Sequence, residues 1–538
     1  MRLAALPQLL ALGLGVAGLS ALSARLHLAT PTLMLLAGAA LAFAPGLPPV
    51  ALDPDLVLLV FLPPLLYASG VRMSWRGFRS NLRPILLLAV GCVLATAGAV
   101  AAVVHYALGW PWAVGFVLGA IVSPPDAVAP VAVLRSLRVP RRLLTVLEGE
   151  SLVNDATALV ALSFALTAAA TGGFQAGEAV GRFLLIVGGE VAFGLLVGWA
   201  MLRLRHLAAE PRAEVLLGLA TPFLAFWPPH ELGGSGVVAC VAAGLWVSWN
   251  GRGLIRPATR LQGYFIWGLV TWAVEALVFL LTGLQARAVA EGLSSEGFGR
   301  ALAAAALVTA TVVVVRFAWV FPATYLPRLV PAVGRADPFP NWRLPFFVAF
   351  TGLRGVVSLA AALALPLTLG DRPFPERDLI LFVTFVVIAA TLLGLGLALP
   401  SVAERLGLAR SGEKETDENR AAELRERVRG VDAVLAALDA AEREGAPPRA
   451  VAALRRFHGD RRASLAGTAD DGTPDDPVAE ASEIQFRLIE VERAAIAEAY
   501  AQNRITDAAR RRIERELDLE EARARHALAS ASGRGAED

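Results

Sequence analysis

Residues 145–160, TVLEGESLVNDATALV, set five polar side chains in a stretch apolar enough to lie in a membrane: Glu148, Glu150, Ser151, Asn154 and Asp155. On a helix, Ser151, Asn154 and Asp155 stand at i, i+3 and i+4 and share one face. A hydroxyl, a carboxamide and a carboxylate together form a nest of hard oxygens suited to a small cation. An ionisable group at membrane depth costs from about 2.5 to well above 10 kcal/mol, so its presence points to function. A carboxylate that titrates near neutral pH can hold a proton or a cation but not both, and that competition suffices for ion exchange. Asp155 is therefore the expected centre of the site, with Ser151 and Asn154 adding ligands.

Other charges fall at similar depth. In GAIVSPPDAVAP (119–130), Pro124 and Pro125 remove backbone donors beside Asp126. In FTGLRGVVSLA (350–360), Gly352 and Gly355 bracket Arg354. Both segments read as broken helices, and broken backbone at membrane depth must be buried in protein or line a wet cavity. If the breaks cross, Asp126 and Arg354 can pair as structural charges, with Asp126 also near the ion. Arg316, mid-span in TVVVVRFAWVF, needs a partner, and Glu150 is the candidate, since it lies five residues before Asp155 and off that face. Glu275, in WAVEALVFLLTGLQ, either touches a partner helix or lines a cavity. Glu148 sits nearer the helix start and suits an entrance funnel.

The elements that must position these residues follow from composition. The 538 residues are 56% hydrophobic, with mean hydropathy +0.57, which excludes an ordinary soluble domain and predicts an all-α polytopic membrane protein. Apolar runs of spanning length fall near 3–23, 28–46, 52–70, 84–108, 111–134, 144–170, 181–204, 211–228, 233–250, 262–286, 301–325, 343–367 and 378–400, thirteen in all. Arginine clusters follow the odd-numbered runs: Arg72, Arg76, Arg79 and Arg83; Arg135, Arg138, Arg141 and Arg142; Arg203, Arg205 and Arg212; Arg252, Arg256 and Arg260; Arg328, Arg335 and Arg343. By the positive-inside rule the N-terminus lies outside and the C-terminus in the cytoplasm. The same parity argues against reading 3–23 as a cleaved signal.

Thirteen runs suggest six plus one plus six, which makes the two broken segments (111–134 and 343–367) the fifth of each half. Interrupted helices at matching places point to a transporter site on inverted repeats. Residues 1–400 form the membrane domain, and 401–538, rich in Glu, Asp, Arg and Ala, form a helical cytoplasmic tail. In the tail, helices are expected at 417–444, with Leu424, Val428, Val431, Leu435 and Leu438 on a stripe, and at 478–502, with Ile484, Leu488, Val491, Ala495 and Ile496 along it. A third is expected at 507–529 after a turn at Asn503, with Thr506 as N-cap and a linker at 467–477 before the second. Cys92 and Cys240 lie in apolar runs, so neither a disulfide framework nor a metal cluster follows. No HExxH motif is present, and the arginine clusters fit loop topology, so neither enzyme chemistry nor nucleic-acid binding is supported.

At these residues the chain resembles the cation/proton antiporter 1 family of sodium/proton exchangers. The likeness covers about residues 1–400 and rests on GESLVND (149–155), FLPPLLYASG (61–70) and TGLRGVVSLA (351–360). It implies thirteen helices in two inverted repeats with two crossing broken helices. A bundle of spans four to six and eleven to thirteen would move against a dimerisation domain, giving a homodimer in the cell membrane. It assigns the sodium-ligand role to Asp155 and Ser151 and a supporting role to Asn154. It assigns the broken-helix charges to Asp126 and Arg354, and a buried pair to Glu150 and Arg316. The Asn-Asp pair implies one-for-one, electroneutral exchange of sodium for protons without a cofactor. Three positions depart from the family. Pro125 stands where Thr is common, leaving only a backbone carbonyl; Ala68 stands where many members have an acid; and Glu275 is an acid where a neutral residue is expected. Potassium/proton exchange is the alternative within transport, and a cation channel or a membrane sensor is the alternative outside it.

Overall fold

In a computed structural model the described residues fold mainly into helices, with one short antiparallel pairing among them, Thr368–Leu369 with Arg372–Pro373. The description covers residues 6–531, apart from 27–28, 46–54, 129, 132–133, 135–136, 138, 173–175, 209, 292–297, 370–371, 471–476, 503 and 505–506. Two units separate, Met1–Gly412 and Glu413–Asp538.

Among the described residues of the first unit, six helices are long and apolar enough to cross a membrane: Leu82–Leu108, Arg141–Thr171, Phe183–Leu207, Thr259–Glu291, Phe298–Leu329 and Arg377–Arg405. Shorter apolar helices include Thr30–Ala42, Leu56–Arg72, Trp112–Val122 and Val237–Asn250. The run at 343–367 is not one helix. It divides into Arg343–Phe350 and Val356–Leu363 around an extended link. The run at 111–134 breaks likewise after Val122, and helical residues resume at Val128. Local irregularity elsewhere is also stitched by side chains. Leu87–Cys92 is a π-turn within the Leu82–Leu108 helix, and its Leu87 carbonyl accepts the Trp319 Nε1–H at 2.9 Å.

Helix packing relies on small residues that let backbones touch, as expected where lipid supplies no hydrophobic drive between helices. A Cβ on Gly38 would lie 2.2 Å from the Leu280 carbonyl, and one on Gly283 would lie 2.3 Å from the Leu35 carbonyl. A Cβ on Gly244 would lie 2.7 Å from the Tyr67 carbonyl, and one on Gly119 would lie 2.3 Å from the Ala97 carbonyl. These seams join the helices at 30–42 and 257–284, at 56–72 and 237–250, and at 82–108 and 112–122. Cys92 and Cys240 are buried and unbridged.

A single carboxylate ties three helix ends. Asp337 accepts Arg142 Nη1 on Oδ1 at 2.9 Å and Arg142 Nη2 on Oδ2 at 2.9 Å. It also accepts Arg328 Nη2 at 2.7 Å and pairs with Arg83. Arginines that read only as topology signals therefore also brace the helices starting at Leu82 and Arg141 and the one ending at Leu329.

The tail has four helices where three were expected: Leu408–Arg443, Pro448–Asp470, Pro477–Ala501 and Asp507–Ala531. The second was missed because its apolar residues are sparse (Val451, Leu454 and Phe457) and interleaved with arginine. It also runs into the expected linker at 467–477. Asn503 and Thr506 lie outside the described residues. Val431 is buried, and Leu424, Val428, Leu435 and Leu438 are half-buried around it. On the Pro477–Ala501 helix the buried residue is Ile489, outside the expected stripe, while Ile484, Leu488 and Val491 of that stripe face outward.

The arginines hold the Asp337 carboxyl below its usual range despite partial burial. Its contribution to stability is therefore complete above the ordinary carboxylate pKa of ~3.9 and is lost as pH falls through the lower folded value. Asp337→Ala should lower the thermal stability of the solubilised protein at pH 7 by about 2 kcal/mol, the scale of lost charge-assisted hydrogen bonds. In thermal melts against pH, that deficit should stay level from pH 8 to 5 and shrink below about pH 4.

Candidate ion site

The site forms where the two broken segments cross. Proline at 124 and 125 removes amide donors, so the chain there cannot continue a helix. It pairs instead with the other break. Pro125 and Arg354 form an isolated antiparallel bridge, and the Asp126 N–H donates to the Leu353 carbonyl at 2.8 Å. The approach is too close for any side chain at 355: a Cβ there would lie 2.5 Å from the Asp126 Cβ. Gly352 is held likewise, since its Cβ would lie 2.3 Å from Arg316 Cδ. Thr391 Oγ1, from the Arg377–Thr391 helix, accepts the Arg354 N–H at 3.1 Å.

The Arg141–Thr171 helix passes beside this crossing. Asn154 is fully buried and its Nδ2 donates to the Pro125 carbonyl at 2.5 Å. Asn154 thus fastens the broken backbone to the helix that carries Asp155. Asp155 is 9% exposed and, with Ser151, Pro125 and Asp126, lines a cavity of about 230 Å³. Glu148, two turns before Asp155, lines the same cavity, as do Glu275, Ser69, Arg72 and Ser358. One helix therefore presents Glu148, Ser151 and Asp155 in sequence along a single wall. Asp126 lies close enough to act electrostatically on Asp155.

On the far side of the same helix, Glu150 meets Arg316. Arg316 Nη1 donates to Oε1 at 2.6 Å and Nη2 to Oε2 at 3.0 Å, with each side chain 2% exposed. Arg316 Nε and Nη2 also donate to the Val348 carbonyl at 3.3 and 3.1 Å, near the end of the Arg343–Phe350 helix. The pair thus satisfies a carbonyl that the break exposes.

The expected pairing of Asp126 with Arg354 is corrected. Among the described residues no ion pair joins them, although their backbones touch. Asp126 Oδ1 instead accepts the Val128 N–H at 2.9 Å, capping the helical residues that resume there. Arg354 follows the C-terminal end of the Arg343–Phe350 helix, where a positive charge offsets the helix dipole. Each charge serves a helix end, not the other charge. Arg354 Nε and Nη1, Asn154 Oδ1 and Ser358 Oγ are buried without a hydrogen-bond partner among the described residues. Sequence reasoning missed Thr391 and Ser358, whose only signal is a hydroxyl in an apolar run. It also missed Glu190, a lone acid in VGGEVAF whose Oε1 accepts the Ser235 and Gly236 N–H groups at 2.5 and 3.1 Å.

Crossing breaks beside a buried carboxylate on a cavity wall are features of a membrane transporter, and comparison with known proteins shows the family of the chain. The family described as "Sodium/hydrogen exchanger, transmembrane" matches residues 11–405, and the chain belongs to that family. An uncharacterised Na(+)/H(+) exchanger of Mycobacterium tuberculosis is 37% identical over 511 residues, 92% of each chain. The Na(+)/H(+) antiporter ApNhaP of Aphanothece halophytica is 32% identical over 403 residues, 74% of each chain. A sodium, potassium, lithium and rubidium/H(+) antiporter of Bacillus pumilus is 32% identical over 376 residues, 68% of this chain and 56% of that one. In fold, the chain is similar to the sodium proton antiporter MjNhaP1 of Methanocaldococcus jannaschii, with TM-score 0.56 and 18% identity, covering 75% of this chain and 98% of that one. Proteins of this family are transporters, not enzymes.

Removing one partner of a buried pair strands a charge, which costs about 3–5 kcal/mol. Arg316→Ala and Glu150→Ala should each lose most of their folded yield in detergent, whereas replacing both with apolar residues should recover much of it in the same size-exclusion assay. Gly355→Val should abolish transport by forcing the crossing apart.

Proposed function

We propose that the chain exchanges sodium for protons, one for one, by alternating access, with proton and cation competing for Asp155. The observation that carries this reading is the placement of Asp155 on the cavity wall with Ser151 and Pro125. Each carries a hard oxygen group, as a dehydrated alkali cation needs. Asp155 and Ser151 are the proposed ligands, Pro125 offers its carbonyl, Asn154 holds that carbonyl in place, and Asp126 tunes the field. Glu275 and Glu148 face the same space as candidate contributors to the cation's path. Sodium and protons are substrates here, and no cofactor enters the scheme.

Alternating access requires two internally stiff bodies with a weaker joint. The backbone seams favour such a division. The closest glycine approaches among the described residues fall either among the helices at 30–72 and 176–284 or among those at 82–171 and 298–405. We assign the second set, which carries both breaks and Asp155, as the moving bundle, in the thirteen-helix, inverted-repeat arrangement that the family likeness implies. On this reading the N-terminus lies outside and the tail in the cytoplasm.

A second reading, broader selectivity that includes potassium, is favoured by Ala68 on the Leu62–Arg72 helix, which removes one possible ligand. The cations named for the Bacillus relative are consistent with it.

The purified protein in liposomes with a trapped pH dye tests the proposal. Sodium should dissipate an imposed pH gradient, and Asp155→Asn should not respond. Apparent sodium KM should rise as pH falls, approaching tenfold per pH unit where the carboxyl is mostly protonated. A KM that is flat between pH 6 and 8 would refute competition. A rate that follows membrane voltage at zero pH gradient would refute one-for-one exchange. A response to potassium equal to that with sodium would replace the first reading with the second.

A further inference from the structure

The Pro477–Ala501 helix is apolar on two sides. One side holds Ile489, which is 3% exposed, and Arg493, which reaches Asp518 and Glu521 of the Asp507–Ala531 helix at 2.6 Å each. The other holds Ile484, Leu488 and Val491, exposed by 51%, 62% and 67%, followed by exposed Ala495. At 100° per residue the two stripes are about 150° apart, so the hairpin that shelters one cannot shelter the other. Contiguous apolar side chains so exposed on a charged helix mark an interface.

We propose that this helix pairs with the same helix of a second copy of the chain, parallel and in register, through Ile484, Leu488, Val491 and Ala495. The spacing is four, three, four, the alternation of d and a positions in a two-helix seam. With Leu488 at a and Val491 at d, Arg487 takes a g position and Glu492 the e position five residues on. In a parallel pair those are the positions that meet between helices, so each Arg487 faces the second copy's Glu492, twice by symmetry. An antiparallel pair sets Leu488 against the second copy's Val491 and loses both contacts. A membrane surface is a poor occupant, because the helix carries five glutamates and two arginines and an anionic leaflet repels it. Copies confined to one membrane meet at high effective concentration, which suits a seam too short to join free peptides.

Cysteine cross-linking of the full-length protein in its membrane tests this. The native cysteines, Cys92 and Cys240, are buried. Both test positions, Leu488 and Glu490, are exposed, so substitution there leaves the fold intact. On oxidation with copper phenanthroline, Leu488→Cys should give a reducible dimer on non-reducing gels. Glu490→Cys, on the flank away from the seam, should give at least tenfold less. Adding Val491→Glu to Leu488→Cys should reduce the product by a similar factor. Three results would overturn the proposal: no Leu488→Cys product, equal products at both positions, or a product only when Leu488→Cys and Val491→Cys chains are mixed.

Discussion

The hydrogen bond from Asn154 to the Pro125 carbonyl is the contact on which the rest of the site depends. A helix broken at membrane depth leaves amides and carbonyls that lipid cannot satisfy. Here the two breaks satisfy one another at Pro125, Asp126, Leu353 and Arg354, and Asn154 fastens that crossing to the helix bearing Asp155. Pro125 and Asp155 then line the same cavity. The backbone crossing and the buried carboxylate share one joint, so neither can shift without disturbing the other.

Charge is distributed by the same logic. Asp126 caps a resumed helix, Arg354 follows a helix that ends early, and Arg316 covers both the Glu150 carboxylate and the Val348 carbonyl. Each offsets backbone dipoles or a buried counter-charge. Asp155 receives none of these partners. It lines the cavity instead, and an ionisable group at membrane depth without such a partner points to function.

Away from the crossing, rigidity comes from glycine and alanine. Backbones in contact at Gly38 and Gly283, or at Gly119 and Ala97, cannot slide past one another without steric clash. At the edge of the membrane unit, Asp337 draws three arginines together. The same arginines satisfy the positive-inside pattern, so one set of residues serves both insertion and bracing. In the tail, ion pairs such as Arg462 with Asp432 and Arg455 with Asp439 join neighbouring helices. Exposed pairs of this kind add little stability individually.

Much of this protein was legible locally. Apolar length marked the spans, proline and glycine marked the breaks, and Asp155, Glu150, Arg316 and Arg354 stood out as charges in apolar runs, because each signal is carried by a few adjacent residues. Asp155, Asn154 and Ser151 could be grouped from helical spacing alone. Glu150 could also be named for Arg316, and the fold joins them, but the partners of Asp126 and Arg354 were decided elsewhere. Asp126 and Arg354 looked like a pair because their signs are opposite and their breaks match. Only the folded chain shows that each serves a helix end, since a side chain's direction at a break depends on the backbone dihedrals there. Thr391, Ser358 and Asp337 acquire their roles from residues distant in sequence, so no local pattern announces them. In the tail, periodicity found the apolar residues of the Pro477–Ala501 helix, but two stripes on one helix read alike until a neighbour covers one of them. The sequence by itself determined where the chain is apolar, where it breaks and which charges fall within its apolar runs, because those properties are local free energies of transfer. Tertiary structure alone decided which groups meet, because that depends on the crossing of segments more than 200 residues apart.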